Sequence, residues 1–139
     1  MELREAVEAA RHHHQSTLTT LRSDGLPQLS NVVHAVGDDG LVRVSTTADR
    51  AKYRNLQRRP WAALKFDAGT FWSYAVLEGT VELSAVAATV DDAAVDELVE
   101  LYRAISGEHP HWDEYRASMV AEQRVVVRLT PDRAYGALR

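Results

Sequence analysis

The chain has no cysteine. That removes a disulfide framework, a thiolate nucleophile and a thiolate metal site. No apolar run approaches the roughly 20 residues that span a bilayer. The opening Met1-Glu2-Leu3-Arg4-Glu5-Ala6 has no apolar core of the kind a secretory leader carries. Positive charge is the minority: 16 lysines and arginines stand against 20 aspartates and glutamates, a formal charge of −4. Such a balance argues against nucleic acid as the main partner; with no spanning run and no leader, no membrane partner is expected and the cytoplasm is the default location. There is no G-x-S-x-G elbow, no H-E-x-x-H pair and no G-x-x-x-x-G-K-[ST] loop. With 139 residues, 45% hydrophobic and 26% charged, the chain reads as one globular domain over 1–139.

Against that acidic background, cations gather in one place. Arg50, Lys52, Arg54, Arg58 and Arg59 lie in or beside a short segment that follows the apolar, β-branched stretch Leu41 to Ser45. Hydroxyls and Asp49 open the segment as helix-starting residues do, and Pro60 closes it. A helix over about Asp49 to Arg58 is expected. Its first turn offers unpaired N–H groups and a partial positive charge, so Ser45, Thr46, Thr47, Arg50 and Lys52 together suit a phosphate. The same residues also read as a solvated basic face. At about 100° per residue, Arg50 and Lys52 diverge on a regular helix. They can meet on one anion only if Arg50 sits in an irregular opening turn. Tyr53 and Leu56 are the expected inward pair, which leaves Arg54 and Arg58 outside.

The remainder alternates short strands with turns. Residues 2 to 13 read as an amphipathic helix, followed by His12-His13-His14, whose side chains diverge too much for one metal. Strands are expected at Ser16–Leu21, Gln28–Val36, Leu41–Thr46, Trp61–Phe66, Phe71–Ser84 and Arg124–Thr130, the fifth bent or bulged at Gly79. Helices are expected at Asp91–Ile105, ended by Gly107, and at His111–Gln123, with a tail from Pro131. Antiparallel strands with helices at their connections indicate a mainly β fold, a small barrel decorated by helices. Glu108, His109, His111 and Asp113 read as helix-capping groups, and no metal site is expected. Trp72 and Tyr74 alternate with Ser73 and share one face, serving either the core or a flat apolar ligand. An anion site without an evident acid, base or nucleophile suits a protein that holds a phosphorylated redox cofactor.

Several stretches carry a resemblance. They are Asp24-Gly25-Leu26-Pro27-Gln28-Leu29-Ser30-Asn31, Val44-Ser45, Arg50-Ala51-Lys52-Tyr53-Arg54-Asn55-Leu56, Trp72-Ser73-Tyr74-Ala75 with Glu78-Gly79-Thr80, Leu101 to Pro110, and Tyr135-Gly136. In this order, over nearly the whole chain, they resemble the split β-barrel flavin and deazaflavin oxidoreductases, relatives of pyridoxamine 5′-phosphate oxidase, in their coenzyme F420-dependent branch. The resemblance implies a homodimer that holds the cofactor at the subunit interface. Arg50 and Lys52 would hold its phosphate, helped by Ser45, Thr46 and Thr47. Gln28, Ser30 and Asn31 would lie beside the deazaflavin ring, and Trp72 and Tyr74 would line the pocket. The family often has Asp before the closing proline where this chain has Arg59. The Arg-x-Val-Leu-Leu-Lys strand of the FMN oxidases is missing from Gln28–Val36, which favours deazaflavin over FMN. The implied activity is hydride transfer from reduced F420 to an electron-poor small molecule, with no catalytic side chain assigned. The alternatives are an FMN-dependent oxidase or reductase on the same fold and a non-catalytic F420 carrier.

Overall fold

Alternating apolar and polar residues give each strand one face for the core and one for the outside. The computed structural model describes residues 1–139. In chain order the elements are α1 (Leu3–Ala10), β1 (Gln15–Leu21), β2 (Pro27–Val36), β3 (Val42–Thr47), α2 (Ala51–Arg58), β4 (Trp61–Asp67), β5 (Tyr74–Leu83), α3 (Ala93–Ser106), α4 (Trp112–Ala121) and β6 (Arg124–Ala137). All strand pairs are antiparallel, and the sheet closes as a barrel in the order β1-β2-β3-β6-β5-β4. This is the split barrel that the resemblance implies.

The closure is uneven, and that defines the fold. β2 and β3 pair only from His34 to Val36 and from Val42 to Val44. Pro27–Val33 and Ser45–Thr47 therefore face each other with no ladder between them. Leu18, Val44, Leu64, Phe66, Leu77 and Val127 fill the interior, each large side chain contributing about 1.5–3 kcal/mol of burial. α1 closes one end with Ala6 and Ala10, and α2 supplies Leu56 to the same core from the other end.

α1 is fastened through a histidine. His34 is fully buried; its Nε2 donates to the Ala10 carbonyl at 3.1 Å and its Nδ1 accepts from the Ser16 hydroxyl at 2.8 Å. A carbonyl can only accept, so the ring is the neutral Nε2–H tautomer. Arg11 adds bonds to the Val36 and Gly37 carbonyls. α3 and α4 lie outside, against β2, β3 and β6, through Val95, Leu98, Val99, Met119 and Val126. Glu97 of α3 ties them down by accepting from Arg43 at 2.8 Å and from Arg128 at 2.6 and 2.8 Å. No helix is long and apolar enough to cross a membrane.

Several expectations shift. The segment after Thr130 is not a tail, because β6 runs on to Ala137. Proline lacks the N–H a ladder needs, but Pro131 pairs with Gly79 where the register slips and Asp132 becomes the extra residue. β5 starts at Tyr74 rather than Phe71, since the turn after Asp67 extends through Ser73. α1 stops at Ala10, and His14, just ahead of β1, is fastened to β2 by donating from Nδ1 to the His34 carbonyl at 2.9 Å.

Candidate functional site

The site is built where β3 ends and α2 begins. Arg50 is the N-cap of α2 in extended conformation (φ −78°, ψ 148°), and no side chain caps the helix. Arg50 therefore lies outside the regular helix, in the irregular opening turn that the sequence requires if Arg50 and Lys52 are to share one anion. Asp49 accepts the Thr47 hydroxyl instead of capping, and that bond holds its carboxyl below the usual range. The first N–H groups of α2 are thus left for another acceptor. Burial lowers the Lys52 ammonium below its ordinary value, and the charges of Arg50 and Arg124 lower it further. Arg124, first residue of β6, pairs with Thr47 across the ladder and points a guanidinium nitrogen at the Ser45 hydroxyl, 3.4 Å away. Neither Arg50 nor Lys52 has a carboxylate partner within ion-pair distance. A half-buried Lys52 without a counter-ion, beside an exposed and equally unpaired Arg50, is an arrangement that an external anion would stabilise.

On the helix itself, Asn55 and Leu56 face inward, while Tyr53 is only half-buried. Asn55 donates to Gln28 at 2.8 Å and to Thr20 at 3.1 Å, tying α2 to the barrel end below the split. Arg54 and Arg58 are exposed; Arg54 bonds the Asp49 carbonyl and Arg58 the Asn55 side chain.

The strands sort the remaining candidates by face. Gln28 and Ser30 lie half-buried on the interior side of β2, whereas Asn31 is exposed on the outer side, at the end of a 3.5 Å bond from Thr17. Ser45 and Thr47 face outward on β3, and Thr46 turns into the interior, where it is 3% exposed. Thr46 is therefore not beside Ser45, Arg50 and Lys52 as expected; consecutive residues on a strand point to opposite faces. Trp72 and Tyr74 are likewise not gathered at this site within one chain. Trp72 is 71% exposed in the β4–β5 turn, edge-on to Phe71 at 4.8 Å, at the α1 end of the barrel. Tyr74 stands on the outer face with the Lys65 ammonium 5.6 Å from its ring centre.

Two open spaces border the split. One, about 260 Å³, lies between the α3–α4 pair and the barrel and is lined by Val33, Ser45, Tyr102, Ile105, Met119 and Arg124. The other, about 550 Å³, opens on the outer face beside Gln15, Thr17, Asn31, Val33, Lys65 and Asp67. Val33 borders both. Reading the sequence misses Arg124, because its place beside Ser45 depends on β6 returning next to β3, a long-range pairing with no local signal. No group of three or more histidines and carboxylates is placed to hold a metal.

Comparison with known proteins agrees with this architecture. An F420 reductase superposes with a TM-score of 0.67 at 24% identity, covering 92% of this chain and 94% of its own. The heme storage protein HutZ of Vibrio cholerae gives 0.68 at 14% identity, covering 96% and 93%. A pyridoxamine 5′-phosphate oxidase-related, FMN-binding protein of Nostoc punctiforme gives 0.66 at 16% identity, covering 96% and 82%. At these identities the likeness is one of fold. The sequence model of pyridoxamine 5′-phosphate oxidase matches residues 3–137, and the chain belongs to that family.

Proposed function

We propose that this protein is an oxidoreductase that uses reduced coenzyme F420 to transfer a hydride to an electron-poor organic molecule. The observation that carries the reading is the pair Arg50 and Lys52, without carboxylate partners, at the uncapped start of α2 and at the mouth of the split. In an acidic protein such a cluster is a specific anion site rather than a general field. Arg50, Lys52 and the Ser45 hydroxyl bind the phosphate, with charge-assisted bonds that fix its position. The facing strands β2 and β3 hold the ring, with Gln28 and Ser30 beside it. Their unpaired backbone groups offer the alternating donors and acceptors that a flat, polar-edged heterocycle needs. When bound, the reduced deazaflavin supplies the hydride, and the protein supplies orientation and exclusion of water. No side chain is assigned as proton donor.

The working unit in this reading is a homodimer. Leu29 (62% exposed) and Val33 (47%) on β2 and Tyr135 (49%) on β6, with Phe71 and Trp72, leave an apolar outer face that a second copy covers. Trp72 and Tyr74 then line the partner's pocket rather than their own. FMN is the alternative ligand, because a phosphate site by itself does not choose the ring. The discriminating measurement is a titration of purified protein with F420 and with FMN, followed by absorbance and fluorescence. Reduced F420, regenerated by a separate dehydrogenase, is then offered quinones, nitroaromatics and unsaturated lactones. Protein-dependent oxidation supports the reductase. Tight F420 binding with no acceptor reduced faster than in the protein-free control makes the protein a carrier, and exclusive FMN binding moves it to the flavin oxidases.

A further inference from the structure

The residue just before β6 adopts a backbone conformation unlike that of any other non-glycine residue here. Gln123 is the one non-glycine residue with positive φ (54°). Side chains are disfavoured in the left-handed region, and such residues persist where the surrounding structure demands them. Here the demand is visible. The Gln123 carbonyl accepts the Ala48 N–H at 3.0 Å, joining the α4–β6 turn to the loop that leads into α2. The same turn sets the direction of the next side chain. Glu122 takes one edge of the Arg124 guanidinium, through Nε at 3.1 Å and Nη2 at 2.8 Å, and leaves Nη1 pointing at Ser45. The Arg124 side chain is about one-third exposed, and its charge reaches Lys52. A strained residue, a carboxylate clamp and a cross-loop bond all converge on one nitrogen beside the anion site.

We propose that Arg124 is a third cationic ligand of the phosphate, aimed by the left-handed turn at Gln123 and by the Glu122 carboxylate. This rests on the anion-site reading above and adds to it a residue on a different element. Arg50 and Lys52 approach from the start of α2, and Arg124 approaches from the start of β6. The phosphate is gripped from two elements that the Ala48–Gln123 bond holds in register, with Ser45 between them. A fixed fork of donors suits that task better than a flexible ammonium.

The test titrates F420 itself and two ligand pairs that differ only in the phosphate: the F420 chromophore's 5′-phosphate against the chromophore, and FMN against riboflavin. The readout is the ratio of affinities within a pair, by fluorescence titration of the full-length protein. The wild type is expected to favour the phosphorylated member. Arg124→Gln is expected to lower that ratio tenfold or more while leaving the unphosphorylated member's affinity within about twofold, which also shows that the variant is folded. Arg124→Lys is expected to restore part of the ratio. Loss of affinity for both members alike, or an unchanged ratio, overturns the proposal. If F420 does not bind the wild type, the cofactor reading fails, and the FMN pair still judges Arg124. If the wild type prefers the phosphorylated member of neither pair, the phosphate role of Arg124 is wrong.

Discussion

Lys52 and Arg54 are two positions apart on α2, yet their surroundings differ completely. Lys52 is half-buried among like charges, whereas Arg54 is exposed and bonds the Asp49 carbonyl. A charge-assisted bond to a ligand contributes about 1.5–3 kcal/mol, so Lys52→Ala is expected to weaken F420 binding by roughly tenfold or more. Arg54→Ala and Arg58→Ala should change it little. Equal losses at all three positions in a fluorescence titration would mean a diffuse charge effect and no specific site. His34 gives a prediction of another kind. Burial, together with the nearby charges of His14 and His13, outweighs the Ala10 bond and lowers its pKa to about 4. The unfolded chain titrates near the ordinary value of about 6.5. Between these values the unfolded state binds the proton and the folded state does not. The contribution of His34 is therefore complete above about pH 6.5 and is lost as pH falls toward 4, a difference of about 3 kcal/mol. NMR of the His34 ring should show the neutral Nε2–H tautomer at pH 5.5, and a half-protonated ring at that pH would contradict it. The cations of the α2 segment were legible as a cluster, because charge and a helix start are local properties. The divergence of Thr46 from Ser45 was legible too, from strand alternation alone.

The joint between β5 and β6 shows how one glycine shapes two strands. A Cβ at Gly79 would stand 1.8 Å from the Thr130 carbonyl oxygen, a backbone atom that cannot swing away. Gly79→Ala is expected to destabilise the protein by about 3 kcal/mol, at the upper end for overpacking, or to prevent folding. A urea midpoint within error of wild type would show that the bulge can relax. The bend in β5 could be anticipated because glycine inside an apolar strand marks a bulge. Its partner could not, because Pro131 reads as a stop unless the position opposite is known to lack a ladder bond. The same difficulty affects the turn before β5. Phe71 and Trp72 have strong strand preference, and only their exposure to solvent or to a second copy makes room for them in a turn.

At the scale of the whole molecule, helices cover the barrel unevenly. α3 and α4 shield β3 and β6, while neither packs extensively against β1 or β4. Light scattering at micromolar concentration is therefore expected to give twice the chain mass. Trp72→Ala is expected to raise the dissociation constant of that dimer by about tenfold, as loss of a buried aromatic anchor does. A monomer that binds cofactor tightly would remove the shared-site arrangement. The barrel itself could be read from strand count and turn spacing. The gap in it could not, because strand lengths do not say where a ladder stops. β2 and β3 have the alternation of fully paired strands, and their separation beyond the His34–Val44 pair is a property of the closed sheet.

That separation has a consequence for amide hydrogen exchange. In an antiparallel strand, successive N–H groups point to opposite edges. Along residues 28–33, those facing β1 are bonded, and those facing the gap are not; the same division holds along Ser45–Thr47, where β6 is the bonded side. Each strand should therefore show fast and slow exchange at alternate residues within one stable element, a pattern that local unfolding cannot produce because opening releases both edges together. Whatever fills the gap will slow only the fast set. The amides of β2 and β3 thus report occupancy and orientation of a ligand directly, whether or not it absorbs light or reacts.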